Sequence, residues 1–203
     1  MRVRLAFLLL ATASWASPLL EKVAKNLETR ALRIELDWNQ APGPGLGSPL
    51  QARGVLRVAP GNRFSFKTSA LTLDSDGTTL WQYMPSTKQV LVQKLSKIDP
   101  GQLPIGLLQN ALRAQELSST LEQHDGTKAH RIELKSDKLP LSRYVKVRLW
   151  IREDNQEPME LAVQDDQGGS ASWKLRSVKE FEPQPKSFSF VPPAGTNVVD
   201  TRQ

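Results

Sequence analysis

Hydrophobic and polar positions alternate along most of this chain. Phe64 and Phe66 share one face of a strand while Arg63, Ser65 and Lys67 share the other, the pattern of an antiparallel sheet with one dry side. The split recurs downstream. Ile132 and Leu134 oppose Arg131, Glu133 and Lys135; Val145, Val147, Leu149 and Ile151 oppose Lys146, Arg148 and Arg152; Met159, Leu161 and Val163 oppose Glu160 and Gln164. Asp76-Gly77 lies between two β-favouring runs and supplies the positive φ angles of a tight hairpin. Thr79, Trp81 and Tyr83 then alternate with Leu80, and Pro85-Ser86 turns the chain into Val90-Leu91-Val92. Earlier, Leu32, Ile34, Leu36 and Trp38 form a first strand, the Pro- and Gly-rich run from Pro42 to Pro49 an open loop, and Gln51 to Ala59 the returning strand. About eleven strands joined mostly by short turns predict a mainly β meander that curls until its apolar face becomes concave, an incompletely closed antiparallel barrel.

Two stretches break the alternation. Pro18 to Arg30 reads as an N-terminal helix, with proline in the first turn and Leu20, Val23 and Leu27 at helical spacing opposite Lys22, Lys25 and Glu28. From Asp99 to Leu117, Leu103, Ile105, Leu107, Leu108, Ala111, Leu112 and Leu117 are too dense for one amphipathic stripe. Helix is expected there, broken by Pro104 and Gly106 into short pieces and covered on more than one side. It is either a plug that completes the core or a cover over a cavity.

The chain opens with Arg2 and Arg4, an apolar run from Leu5 to Ala13, and Ser14-Trp15-Ala16. Those flanks predict a secretory signal peptide over 1–16, cleaved after Ala16; the run is too short for a bilayer core that needs about 20 residues. The remaining chain, 17–203, is expected to be one soluble domain. The chain has no cysteine, which excludes disulfides, thiolate metal sites and a cysteine nucleophile.

Net charge is +6 and the pI about 9.7, but the cations are spread along strands as a wet sheet face would show, with no nucleic-acid motif beside them. His124 and His130 are the only histidines, and their position on a hairpin flank predicts solvated side chains. Asp165-Asp166 precedes Gly168-Gly169, so a turn accounts for both acids better than a carboxylate pair in a pocket. There is no phosphate loop, nucleophile elbow or zinc-protease helix. No enzyme, cofactor or metal is expected. If the interior is a cavity, its lining suits hydrocarbon.

The wording of several segments carries a resemblance. Gly54-Val55-Leu56, Pro60-Gly61-Asn62-Arg63-Phe64, Ser75-Asp76-Gly77, Leu80-Trp81 and Tyr83, then Ser172-Trp173-Lys174-Leu175 and Phe188-Ser189-Phe190-Val191-Pro192-Pro193-Ala194-Gly195 together resemble the periplasmic lipoprotein carrier family LolA, over about residues 18 to 200 and in the right order. The resemblance implies a monomeric periplasmic carrier of acylated lipoproteins. Its implied partners are an inner-membrane lipoprotein-releasing ABC transporter and a LolB-like outer-membrane acceptor. A carrier of another lipid, a glycolipid or pigment, and a lipoprotein-binding sensor domain of the same fold are the alternatives. Candidate acyl-binding residues are Phe64, Phe66, Trp81, Leu134, Val147, Leu149 and Leu161. The resemblance makes the 99–117 helix a movable lid, with Leu103, Ile105, Leu107, Leu108 and Leu112 as its apolar residues. Family members often carry an arginine just before the proline that ends the second strand, where it helps to latch the lid. Here Ala59 precedes Pro60, and Arg57 is the candidate substitute.

Overall fold

A computed structural model describes residues 17–202, apart from 46, 101–102, 138–140, 142 and 185 and the side chain at 104. The signal-peptide expectation for 1–16 lies outside the described residues.

Helix α1 spans Pro18–Thr29. The Ser17 hydroxyl accepts from the Leu20 N–H at 3.5 Å, Pro18 occupies the first turn where no N–H is needed, and Glu21 sits at the positive end of the helix dipole. Its buried face is Leu20, Val23 and Leu27, the three residues the periodicity picks out. Strands β1 (Leu32–Ala41), β2 (Leu50–Ala59), β3 (Arg63–Thr68), β4 (Thr72–Asp76), β5 (Thr79–Met84) and β6 (Gln89–Lys94) follow, then a 3-10 turn, Leu95–Lys97, and helix α2, Pro104–Leu112. Strands β7 (Glu116–His124), β8 (Thr127–Leu134), β9 (Tyr144–Arg152), β10 (Pro158–Asp165), β11 (Ser170–Glu180) and β12 (Asn197–Asp200) complete the chain.

All twelve strands belong to one sheet, in the order β12-β6-β5-β4-β3-β2-β1-β11-β10-β9-β8-β7. Every pairing is antiparallel except that of β12, which lies parallel to β6. The two outermost strands, β7 and β12, do not pair with each other, so the barrel stays open. The Asp76-Gly77 turn is as expected. Gly77 has φ +101°, and a Cβ there would stand 2.3 Å from the Gly61 carbonyl oxygen, so both the angle and the close approach require glycine. The Asp76 carboxylate accepts from the N–H groups of Thr78 and Thr79 at 2.9 and 2.8 Å. Partial burial disfavours its charged form, but these bonds outweigh it and hold the pKa below the ordinary value.

On the concave face, residues from α1, α2 and the strands β1–β5 and β8–β10 form one contiguous buried cluster. Each large side chain removed from water there contributes about 1.5–3 kcal/mol, so burial of this face favours a curled sheet over a flat one.

The structure departs from the sequence reading in four places. Strand β12 is additional to the expected eleven: it returns parallel to β6 by a long connection and so has no hairpin signal in the sequence. Helix α2 ends at Leu112, and Leu117, expected in the helix, lies on β7 and is 61% exposed. Val145 is 63% exposed and Met159 half-buried, although both were expected on the dry face. All three sit at register shifts, between Glu116 and Ser118, opposite Gln164/Asp165, and between Pro158 and Glu160. There an extra residue leaves the alternation.

Candidate functional site

The expected dry-face residues converge. Phe64, Phe66, Leu134, Val147, Leu149 and Leu161 are all buried in the concave cluster, with Phe66 only 1% exposed. Gly54 makes room for Phe66: a Cβ on Gly54 would lie 2.8 Å from the phenyl ring. Leu103, Ile105, Leu107, Leu108 and Leu112 are buried in the same cluster. The concavity is therefore filled by the leucines of α2.

Besides this apolar packing, α2 has polar and close backbone contacts toward both ends. Gly106 is pressed against the preceding segment so closely that a Cβ would stand 1.9 Å from the Pro100 carbonyl oxygen. The Leu103 N–H donates to that same oxygen at 3.1 Å, and Asn110 Nδ2 donates to the Gly106 carbonyl at 2.6 Å. At the other end, Arg113 Nη2 donates to Glu28 Oε1 of α1 at 2.5 Å. A cleft of about 640 Å³ opens beside the helix, lined by Leu27 and Glu28, by Ala59 to Phe64, and by Ile105, Asn110 and Arg113 among others.

Two candidate residues lie elsewhere. Trp81 pairs with Asp74 and Val92, and Leu80, its neighbour, pairs with Ser75, which stands opposite Phe64. Trp81 is thus on the outer face, half-buried, and does not line the concavity. Arg57 pairs with Ser65 and Arg33 on that same outer face, near Asp74, so it does not reach α2 as a latch. The side-chain hydrogen bond that joins the end of α2 to α1 is instead Arg113 to Glu28. No sequence motif points to it, because its partners are 85 residues apart.

The outer face of β3–β6 is covered as well. Ser65, Asp74, Thr79, Val90 and Val92 are buried there, outside the concave cluster. The tail after β11 crosses above them. Phe188 is buried beneath the Arg63 guanidinium, whose carbon is 5.6 Å from the ring centroid, and Phe190 packs on Tyr83 at 5.5 Å. Asp74 is enclosed in this second core. Burial pushes its pKa up, against the Ser65 hydroxyl and the charges of Lys67 and Arg57, and its Oδ1 has no partner among the described residues.

The remaining polar groups form surface pairs. Arg148 meets Glu133 at 2.8 Å, Arg131 meets Glu122 at 3.3 Å and Arg176 meets Asp37 at 2.5 Å, so much of the basic face is neutralised locally. His124 is stacked on Trp150, with centroids 4.5 Å apart, and its Nε2 lies 2.9 Å from Glu160 Oε2. Its environment is thus more ordered than the expected solvated one. One ligand atom each from His124, Asp125 and Glu160 fall within 4.8 Å of one another, but Asp125 is paired with the Lys174 ammonium, whose charge opposes a cation. Asp165 Oδ1 accepts from the Gln167 and Gly169 N–H groups at 3.0 and 2.6 Å, as a turn residue.

The fold is thus an open, mostly antiparallel barrel whose dry concavity is filled by a helix. The sequence model of the family described as outer membrane lipoprotein carrier protein LolA matches residues 34–191, and the chain belongs to that family. Its members are of the lipid- or lipoprotein-binding carrier type. Among curated proteins, none matches by sequence. A conserved protein from Thermus thermophilus has the same fold, with a TM-score of 0.61, 13% identity, and coverage of 90% of this chain and 96% of that one. A LolA superfamily protein from Nitrosomonas europaea aligns with a TM-score of 0.45 and 15% identity, covering 88% of this chain and 99% of its own. An outer membrane lipoprotein-sorting protein domain from Vibrio parahaemolyticus gives 0.45 and 12%, covering 84% and 94%. Among the described residues, no helix is long and apolar enough to cross a membrane.

Proposed function

We propose that this chain is a periplasmic carrier that binds the acyl chains of outer-membrane lipoproteins. It receives them from an inner-membrane lipoprotein-releasing ABC transporter and passes them to a LolB-like outer-membrane acceptor. The observation that supports this reading is the shared cluster of Phe64, Phe66, Leu134, Val147, Leu149 and Leu161 with the leucines of α2. Hydrocarbon can replace those leucines without exposing the walls to water. Ten buried methylenes contribute about 8 kcal/mol gross, enough to draw an acylated segment from a donor after ordering costs are met. Return of α2 to the concavity recovers the same kind of burial and makes release possible.

Native mass spectrometry of the protein purified from its own periplasm tests the cargo. Adducts of lipoprotein mass are expected; adducts of a glycolipid or a pigment would identify a different carrier. N-terminal sequencing of the same material tests the address. The mature chain is expected to begin at Ser17, and a retained, membrane-embedded 1–16 segment would overturn both localisation and shuttling.

A further inference from the structure

Trp38 stands on the concave face of β1, between Ala52 of β2 and Trp173 of β11. Its ring packs against the apolar cluster but is only half-buried, as is that of Trp173. Its Nε1 is nevertheless fully shielded and has no hydrogen-bond partner among the described residues. A covered indole N–H without an acceptor is costly, since the donor has given up water for nothing. The neighbours directly across the sheet supply only an alanine methyl and a second indole. A wholly apolar ring would satisfy the packing equally well, so the polar edge calls for a separate account.

We propose that Trp38 Nε1–H is the donor that binds a carbonyl oxygen of the acyl cargo, the ester or amide carbonyl where a fatty chain joins its head. This rests on the carrier reading given above and adds to it a polar anchor that fixes how deep the chains sit. The position suits the chemistry. Trp38 lies at the boundary of the dry cluster with its N–H covered by protein in this state, so the contact forms as cargo displaces the side chains that cover it. An acyl chain laid along the buried walls brings its carbonyl to that boundary. A single polar group in an apolar pocket orients a ligand at little cost in generality, as a carrier of many proteins sharing one lipid moiety requires.

The test compares two probes, a pyrene-labelled diacylglycerol and a pyrene-labelled alkane of equal chain length, on the native protein and on Trp38→Phe. The variant keeps most of the ring and removes the N–H. Diacylglycerol affinity is expected to fall about tenfold, the worth of one buried hydrogen bond, while alkane affinity stays within about twofold. Equal losses for both probes would reduce Trp38 to a packing residue and overturn the proposal, as would no loss for either. A native protein that binds neither probe would overturn the carrier reading itself. The indole N–H resonance of Trp38, identified by its disappearance in the variant, gives a second readout on the native protein. It is expected to move downfield on loading with diacylglycerol and to stay in place with the alkane; an unmoved resonance with bound diacylglycerol would refute the contact.

Discussion

Arg113, at the C-cap of α2, reaches across to Glu28 in the last turn of α1, Nη2 to Oε1, at 2.5 Å. Both side chains are substantially exposed, so the pair contributes at most about 1 kcal/mol to the docking of α2 against α1 and is screened by salt. Glu28→Gln should leave the melting temperature almost unchanged and speed loading of a fluorescent acyl probe several-fold. Stopped-flow measurement at low and high salt checks this, with the difference between variant and native protein shrinking as salt rises.

Leu108 of α2 is buried in the concave cluster. Leu108→Ala removes about 2–5 kcal/mol from the state that buries it. If α2 opens, the loss falls on the closed state alone. Acyl-probe affinity should then equal or exceed that of the native protein, while transfer of lipoprotein to an acceptor slows. If α2 is fixed core, melting temperature falls and probe binding does not change. Both quantities measured on one preparation decide between the two.

Asp74 gives a pH signature. Its folded pKa lies above its unfolded value, so its contribution to stability is fully present below the unfolded pKa and is lost as pH rises through the folded one. Asp74→Asn carries no such cost at neutral pH. Any stability advantage of the variant should therefore be largest near pH 7 and shrink toward pH 4, as thermal melts across that range would reveal.

The tail covers the face of the sheet that points away from α2. Phe188→Ala should cost about 3–5 kcal/mol, as for other buried phenylalanines, and leave acyl-probe affinity within about twofold of native once samples are held below the lowered melting point. A parallel loss of affinity would show that the two faces are coupled.

How much of the fold and site was legible in the sequence depends on whether a signal was local. The alternation of Phe64 and Phe66 with Arg63, Ser65 and Lys67 placed β3 correctly because nothing interrupts its register with β2 and β4. The same reasoning misplaced Val145 and Met159, since a bulge adds one residue without any mark in composition. Trp81 was misassigned for another reason. Its face of the sheet is half-dry, covered by a tail more than a hundred residues away, and large apolar side chains there look like those of the main core. Nearness to Pro60 in the sequence suggests Arg57, but its side of β2 faces away from the concave cluster. Leu103 to Leu112 could be read because their density has no amphipathic solution, whereas the Arg113–Glu28 pair is a long-range contact between ordinary surface residues.

The tail has a mechanical consequence. Over β3–β5 the sheet is packed from both sides, by the helices and concave cluster within and by Phe188 and Phe190 without. Over β7–β9 the outer side carries, among the described residues, the stacked His124 and Trp150 and ion pairs such as Arg131 with Glu122 and Arg148 with Glu133. The doubly packed strands are therefore expected to hold their shape, and any widening of the barrel to fall on β7–β9, with amide hydrogen exchange slower in the first set than in the second as the check.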